Sequence, residues 1–145
     1  MAPGSRTPAF REIVKDSFAR QGLMRTLGAE ITEIGPGRCT ITAPIRPETA
    51  QQHGFAHAGT TFALGDSACG YAALSLQEEG VEVLTSEMKI HLLAPATGAR
   101  LVARGEVLRA GRRLVVARAD VFAETGGDSG HVATLLGTIV PVQAG

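Results

Sequence analysis

The sequence predicts an α+β domain in which a curved, mostly antiparallel β-sheet packs around one long helix. The first observation is an Ala- and Gly-rich apolar segment over residues 57–78, which lacks strict alternation and is too long for a strand. The second is a run of four β-rich segments after it, separated by turn sequences. Because the helix is apolar on nearly all faces, we expect the sheet to wrap around it.

The N-terminal elements are predicted to be a helix and a hairpin. Apolar residues recur at helical spacing over residues 8–27, which indicates an amphipathic first helix. Residues 29–35 and 38–45 are β-rich and flank Gly35-Pro36-Gly37, a turn sequence. A loop over residues 49–56 then leads into the long helix, which we expect to begin at residue 57 or 58.

Four strands are predicted after the long helix. The first covers residues 81–93, and its alternation predicts one face formed by Val83, Thr85, Glu87, Lys89 and His91. Residues 99–109 and 112–124 are separated by Ala110-Gly111, the length of a two-residue hairpin loop. After a Gly-rich turn over residues 125–130, a strand over residues 131–142 closes the domain.

Composition limits the possible partners. Residues 1–9 have the character of a loose tail, and residues 10–145 form one domain of a 145-residue chain. Lys plus Arg and Asp plus Glu number 14 each, so no net charge attracts nucleic acid or an anionic membrane. The long apolar segment holds a carboxylate and several Gly and Thr, which argues against a membrane span. Two cysteines are too few for a disulfide framework and have no metal-site spacing, so we expect a reducing, cytoplasmic location.

Asp66 is the only charged residue between Glu48 and Glu78, in the middle of the long apolar segment. An ionised carboxylate is costly to bury, so it acquires a raised pKa, a specific partner, or both. A lone carboxylate in such a setting is a candidate catalytic base or nucleophile. The alternative is a helix carboxylate that faces solvent or a backbone N–H.

A motif around Asp66 carries a family resemblance. Gln51-x-x-Gly54-x-x-His57-Ala58-Gly59, followed by Asp66 seven residues later, resembles the hotdog-fold acyl-CoA thioesterases, most closely the phenylacetic-acid-degradation type and relatives acting on 4-hydroxybenzoyl-CoA. The resemblance covers about residues 28–142 and extends to the strand that contains Thr85. It implies a sheet wrapped around a central helix, a homodimer with a continuous sheet, and a doubled homotetramer. Ala58 replaces the Gly that the family usually carries.

The resemblance also implies roles for the residues of the motif. Asp66 would act as general base or nucleophile, the Ala58 N–H and the Gln51 amide would bind the thioester oxygen, and Thr85 would lie near the attacking water. His57 belongs to the turn that shapes the site, although an isolated His is more often a structural hydrogen-bonding residue. Gly54 and Gly59 would belong to the substrate-binding turn.

A cluster of arginines on the later strands provides further candidates. Arg109, Arg112 and Arg113 could bind the phosphates of coenzyme A, since guanidinium groups suit phosphate recognition. The alternative is a solvated strand face. We expect no metal and no redox cofactor, because no ligand spacing and no phosphate-binding glycine loop is present.

The expected reaction is hydrolysis of an acyl-CoA to a free acid and coenzyme A. Two alternatives stay open: a hotdog dehydratase or hydratase of acyl thioesters, and a non-catalytic acyl-CoA-binding module. Ala58 and Asp66 are eight residues apart, about 12 Å along a helix, whereas reacting groups must meet within about 3–3.5 Å. We therefore expect sites shared between two antiparallel subunits of a homodimer.

Overall fold

Three helices and six strands make up the computed structural model, which describes residues 4–145. The helices are α1 (Phe10–Ala19), α2 (Gly22–Leu27) and α3 (Ala58–Leu74). The strands are β1 (Glu30–Gly35), β2 (Arg38–Pro44), β3 (Val81–Leu92), β4 (Arg100–Ala110), β5 (Val115–Thr125) and β6 (Asp128–Gln143). A short 3-10 turn at Pro47–Thr49 precedes the loop that leads into α3. The predicted α+β class is confirmed.

All six strands form one antiparallel sheet in the order β1-β2-β4-β5-β6-β3, and the sheet curves around α3. Helix α3 contacts every strand from β2 to β6. Its buried residues include Leu64 and Ala68, which join Leu101 of β4 and Leu135 of β6 in the hydrophobic core. Strand β3 lies at one edge of the sheet and therefore presents unpaired backbone groups on its outer side.

The helix and the sheet approach each other to backbone contact. A Cβ on Gly105 of β4 would lie 2.4 Å from the Ala68 carbonyl oxygen and 2.8 Å from the Cys69 nitrogen of α3. A Cβ on Gly65 of α3 would lie 2.7 Å from the Leu135 side chain. Glycines on both surfaces thus allow an approach that a side chain would prevent.

Both predicted helices differ from the structure at their ends. The first is two helices, because Gln21 is extended and its side-chain amide donates to the Tyr71 hydroxyl at 2.7 Å. Helix α3 ends at Leu74 and not at residue 78. The Ser75 hydroxyl donates to the Ala72 carbonyl at 2.6 Å and accepts the Gly37 N–H at 2.8 Å, which fixes the end of the helix against the β1–β2 turn.

Two predicted hairpin boundaries are also wrong. Ala110 pairs with Val115, so the β4–β5 loop has four residues, and the Gly111 N–H donates to the Leu114 carbonyl at 2.9 Å across it. Strand β6 begins at Asp128 and not at residue 131. The Gly-rich turn is therefore only two residues long, and Gly126 adopts a φ of 58° that favours glycine there.

A β-bulge corrects the predicted face of β3. The pairing with β6 shifts register between Thr85 and Glu87, so Ser86 is an extra residue. The half-buried positions are Val81 and Val83 before the bulge and Met88 and Ile90 after it. Thr85 and Glu87 therefore point to opposite faces of the sheet.

The N-terminal segment packs onto the domain. Residues 1–3 of the expected tail lie outside the described residues. Thr7 is buried, and its hydroxyl donates to the Gln77 carbonyl at 3.2 Å. Thr7 thus contacts the domain, whereas Arg6, Pro8 and Ala9 beside it are exposed. Within residues 4–145 no helix has the length and apolar character needed to cross a membrane.

We predict that Gly105→Ala destabilises the fold because its Cβ would overlap the α3 backbone. Overpacking of this kind should lower the free energy of unfolding by about 3 kcal/mol or more. Gly130→Ala is the matched control, since Gly130 also lies in a strand paired with β5 but has no atom within 4 Å of its Cβ position. It should change the free energy of unfolding by no more than about 1 kcal/mol. Urea unfolding of both variants measures the difference, and equal effects would contradict the packing argument.

Candidate functional site

Two clefts on one chain divide the predicted site residues between them. The helix-start cleft has a volume of about 380 Å³ and is lined by Gln51 and Ala58 together with Leu92, Leu93 and Pro95. The mid-helix cleft has a volume of about 280 Å³ and is lined by Asp66 and Thr85 together with Gly70 and Tyr71. The two clefts have no lining residue in common. One chain alone therefore separates the predicted attacking group from the predicted oxyanion donors.

The mid-helix cleft contains a hydrogen-bonded pair. The Thr85 hydroxyl donates to Asp66 Oδ1 at 2.7 Å, and Asp66 itself is half-buried. Within the described residues Oδ2 accepts no hydrogen bond, so it can accept a proton from a water molecule or attack a substrate. The bulge at Ser86 changes which residues of β3 point to each face of the sheet at this point. Bulges commonly orient side chains beside active sites.

The start of α3 supplies backbone donors to the helix-start cleft. The first N–H groups of a helix lack intrahelical partners and carry partial positive charge. The Ala58 N–H makes no hydrogen bond within the described part of the chain. Ala58 has a negative φ, as does every described residue other than glycine. The replacement of the usual Gly by Ala therefore leaves the helical backbone and this N–H unchanged.

Gln51 directs its amide group toward the same cleft. Its side-chain oxygen accepts the backbone N–H of His53, and its own backbone N–H donates to the Phe55 carbonyl at 2.8 Å. These bonds close a tight loop over residues 51–55. Because the side-chain oxygen is occupied, the NH₂ group is the part of the amide left to bind a substrate oxygen.

His57 has a structural role at the start of α3. It is the N-cap residue, and its Nδ1 accepts the Gly59 N–H at 2.8 Å. In that state Nε2 carries the ring proton. His57 and Gly59 line a separate cleft of about 320 Å³ beside α2, and neither lines the helix-start cleft. Because His57 occupies the Gly59 N–H, Ala58 is left as the free donor at this helix end.

The other predicted substrate-binding residues lie outside both clefts. Gly54 is at the tip of the 51–55 loop with a φ of 84°, a conformation that favours glycine. Arg109, Arg112 and Arg113 are exposed at the β4–β5 hairpin, Arg109 near the end of β4 and the other two in the loop. Neighbouring strands are about 4.8 Å apart, so β4 is about 14 Å from β3, whereas Val115 of β5, which follows the loop, is two strands from Thr85, about 10 Å.

Sequence reasoning missed one group of residues that line the mid-helix cleft: Ser17, Gln21 and Tyr71. The Tyr71 hydroxyl accepts the Gln21 amide at 2.7 Å and lies 3.2 Å from the Ser17 hydroxyl. Tyr71 is the single tyrosine of the chain, on a largely apolar helix, and this was the available signal. No local pattern linked Ser17 or Gln21 to it, because they lie 54 and 50 residues away in sequence.

Both cysteines are free and buried, and they are poor nucleophiles. Burial, together with the negative charges of Asp66 and Asp120, raises the pKa of the Cys69 thiol to about 12. Burial likewise raises the pKa of Cys39 to about 12. A thiol with such a pKa is protonated at neutral pH and does not attack. Residues 4–145 contain no group of three or more His, Cys, Asp or Glu side chains placed to hold a metal ion.

Comparison with known proteins gives consistent matches. The profile of the thioesterase superfamily matches residues 53–129, more than half of the chain. A thioesterase family protein from Silicibacter pomeroyi is 45% identical, with a TM-score of 0.91, over 93% of this chain and 99% of that one.

Two more distant structures share the fold. The PaaI protein of the phenylacetic acid degradation operon of E. coli has a TM-score of 0.83 at 20% identity, over 93% of this chain and 94% of its own. A Bacillus halodurans protein crystallised with CoA has a TM-score of 0.75 at 23% identity, over 92% and 86% of the two chains. The expected hotdog fold is confirmed, and the chain belongs to the thioesterase superfamily.

Proposed function

We propose that this protein is an acyl-CoA thioesterase of the phenylacetic-acid-degradation and 4-hydroxybenzoyl-CoA type. It hydrolyses an acyl-CoA or aryl-acyl-CoA to the free acid and coenzyme A, in a reducing, cytoplasmic compartment. The observation that carries the proposal is the Asp66–Thr85 pair in one cleft and the free Ala58 N–H and Gln51 amide in another. Together these groups supply what thioester hydrolysis requires: an attacking or water-activating carboxylate and an oxyanion site.

The chemistry follows from the charges that develop. Asp66 either removes a proton from water or attacks the thioester carbonyl directly, and the Thr85 hydroxyl holds its carboxylate in place. Negative charge then builds on the carbonyl oxygen, where the Ala58 N–H and the Gln51 amide donate hydrogen bonds. Collapse of the tetrahedral intermediate breaks the C–S bond and expels the coenzyme A thiolate. On the general-base route the proton that Asp66 took from water passes to the thiolate, and the free acid is formed directly. On the nucleophilic route collapse leaves a mixed anhydride between the acyl group and Asp66, the thiolate takes a proton from solvent, and a water molecule then hydrolyses the anhydride to the free acid.

The two halves of the site meet if two β3 edges pair about a two-fold axis. Thr85 and Leu92 lie seven residues apart on β3, about 23 Å at strand spacing. An antiparallel pairing centred between Met88 and Lys89 sets Thr85 of one protomer opposite Leu92 of its partner. The mid-helix cleft of one chain then faces the helix-start cleft of the other. The exposed β3 edge and the exposed side chains of Leu84 and Leu92 support this homodimer.

We further propose that two dimers associate into a homotetramer and that Arg109, Arg112 and Arg113 bind the CoA phosphates. The exposed Leu136 on the outer face of the sheet supports the first point. The exposed guanidinium groups at the β4–β5 hairpin support the second. The CoA present in the related Bacillus halodurans structure is consistent with a CoA thioester as substrate.

We predict that Asp66→Asn lowers kcat by roughly 10²–10⁴-fold with little change in substrate binding, because the amide keeps the shape and loses the base or nucleophile. Release of free thiol from an acyl-CoA panel measures the rate. Asp120→Asn is the matched control: Asp120 also accepts a threonine hydroxyl, from Thr134 at 2.7 Å, but lies in neither cleft. Near-normal turnover by Asp66→Asn would remove Asp66 from its assigned role.

The same panel separates the alternatives. Loss or gain of an enoyl chromophore without thiol release would identify a dehydratase or hydratase. Saturable binding with neither change would identify a non-catalytic acyl-CoA-binding module. Both outcomes would contradict the proposed hydrolysis.

We predict that Gln51→Ala reduces kcat on the order of 10²-fold, since one oxyanion donor is lost. The melting temperature should stay within a few degrees of the wild type, because the residue lies in a loop. Gln52→Ala, at the exposed neighbouring position, is the control and should retain full activity. A large fall in melting temperature with unchanged activity per folded molecule would make Gln51 structural.

We predict that co-refolded Asp66→Asn and Gln51→Ala chains recover activity in mixed dimers. One of the two sites in a mixed dimer keeps both wild-type groups, so a random equal mixture should reach roughly a quarter of wild-type activity. Each variant refolded alone is the control. Absence of recovery in a preparation that native mass spectrometry shows to contain mixed dimers would refute the shared site.

A further inference from the structure

The mid-helix cleft continues beyond the attacking carboxylate. From Asp66 it runs along α3 past Gly70 to Tyr71 and Leu74, beneath α1 on one side and β3 on the other. Asp66 and Tyr71 are five residues apart, about 8 Å along the helix axis. Extended carbon chains advance about 1.2 Å per bond, so this length holds an acyl chain of about six carbons.

The far end of the cleft is polar and firmly held. The Tyr71 ring is buried and packs edge-to-face on Phe18 with ring centroids 5.8 Å apart. Its hydroxyl accepts the Gln21 amide at 2.7 Å and lies 3.2 Å from the Ser17 hydroxyl. Within residues 4–145 the Gln21 side-chain oxygen accepts no hydrogen bond. A cleft end built for a plain alkyl terminus would contain apolar side chains, whereas this one leaves hydrogen-bonding capacity for a ligand.

The charges along the cleft have one sign. The charged residues that line it in this chain are Asp66 and Glu82, and no Lys or Arg lines it. Glu82 lies three residues from Thr85 on β3, about 10 Å from the Asp66 end of the cleft. An acyl group that ends in a carboxylate would therefore bring its charge toward Glu82, where no lining Lys or Arg offers a counter-ion. Like-charge contacts of this kind are unfavourable and act as a filter against the wrong substrate.

Resting on the proposed function, we infer that Ser17, Gln21 and Tyr71 select the acyl group. The substrate class is an acyl-CoA whose acyl group has about six carbons. The end of the acyl group farthest from the thioester carries a neutral hydrogen-bonding group such as a hydroxyl. Tyr71 and Gln21 bind that group directly, while Glu82 disfavours an anionic end. Plain alkyl chains of the same length are accepted less well, because their methyl end leaves the polar groups of the cleft unsatisfied.

Three thioesters with six acyl carbons each test the assignment: hexanoyl-CoA, 6-hydroxyhexanoyl-CoA and adipoyl-CoA. The wild-type enzyme should show a kcat/KM for the hydroxylated substrate roughly 2- to 12-fold above that for hexanoyl-CoA, the effect of one net hydrogen bond. Adipoyl-CoA should be the poorest of the three. Tyr71→Phe and Gln21→Leu should each bring the ratio of kcat/KM for 6-hydroxyhexanoyl-CoA to that for hexanoyl-CoA close to one. Glu82→Gln should raise kcat/KM for adipoyl-CoA relative to hexanoyl-CoA.

Gln77→Leu is the matched control for Gln21→Leu. The Gln77 amide donates to the Ala73 carbonyl at 3.1 Å beyond the end of α3, and Gln77 does not line the cleft. It should keep the wild-type preference. If Tyr71→Phe does not fold, Gln21→Leu decides the result.

A hydroxyl preference that is absent from the wild type, or unchanged in both cleft variants, overturns the inference. Absence of thiol release from these three thioesters and from the aryl-acyl-CoAs of the panel overturns the proposed function. Release with equal kcat/KM values for the three, or release from aryl-acyl-CoAs alone, overturns the acyl selection and leaves the proposed function standing.

Discussion

The backbone contact between α3 and β4 is the constraint on which the other features of the molecule depend. Gly105 brings the sheet to the Ala68 carbonyl of the helix, closer than any other residue type would allow. This contact fixes the depth of α3 in the curved sheet. At that depth one side of the helix is buried against β2 to β6, and Asp66 lies within 2.7 Å of the Thr85 hydroxyl on the edge strand. The helix start then emerges beside the loop over residues 51–55.

A rigid helix also keeps the two halves of the candidate site apart. A hydrogen-bonded helix cannot bend Ala58 toward Asp66, so about 12 Å remains between them in any conformation of one chain. Association through the β3 edge removes this separation without deforming either protomer. It also covers a long edge strand that would otherwise invite unspecific pairing. In the proposed dimer, stability and catalysis therefore depend on the same interface.

The sequence was sufficient for the elements whose signals are local. The apolar composition of α3, the Gly35-Pro36-Gly37 turn and the Asp66 motif each depend on neighbouring residues, and all three lie where the sequence predicts them. The errors arose where distant residues decide. Gln21 leaves the helical conformation and bonds to Tyr71, and Ser75 ends α3 by bonding to Gly37. Neither partner is visible within a local window.

The bulge in β3 shows the same limit at the candidate site. Alternation alone placed Thr85 and Glu87 on one face, because a strand pattern carries no sign of an extra residue. The inserted Ser86 arises from pairing with β6, a strand more than forty residues away. The resemblance to known enzymes pointed to Thr85 as a residue near the attacking water. Only the pairing with β6 shows that Thr85 faces α3 and donates a hydrogen bond to Asp66.

The groups proposed for catalysis and those proposed for acyl selection lie on elements that contribute differently to the fold. The groups proposed for attack and oxyanion binding lie on α3, β3 and a hydrogen-bonded loop, where small displacements would be costly to the reaction. Two of the groups proposed for acyl selection, Ser17 and Gln21, lie on α1 and at the start of α2, outside the packing of α3 against the sheet. Substitutions there can change the polarity and length of the cleft and leave the helix–sheet contact at Gly105 intact. Acyl preference is therefore the property of this protein that can change most easily without loss of the fold or of its chemistry.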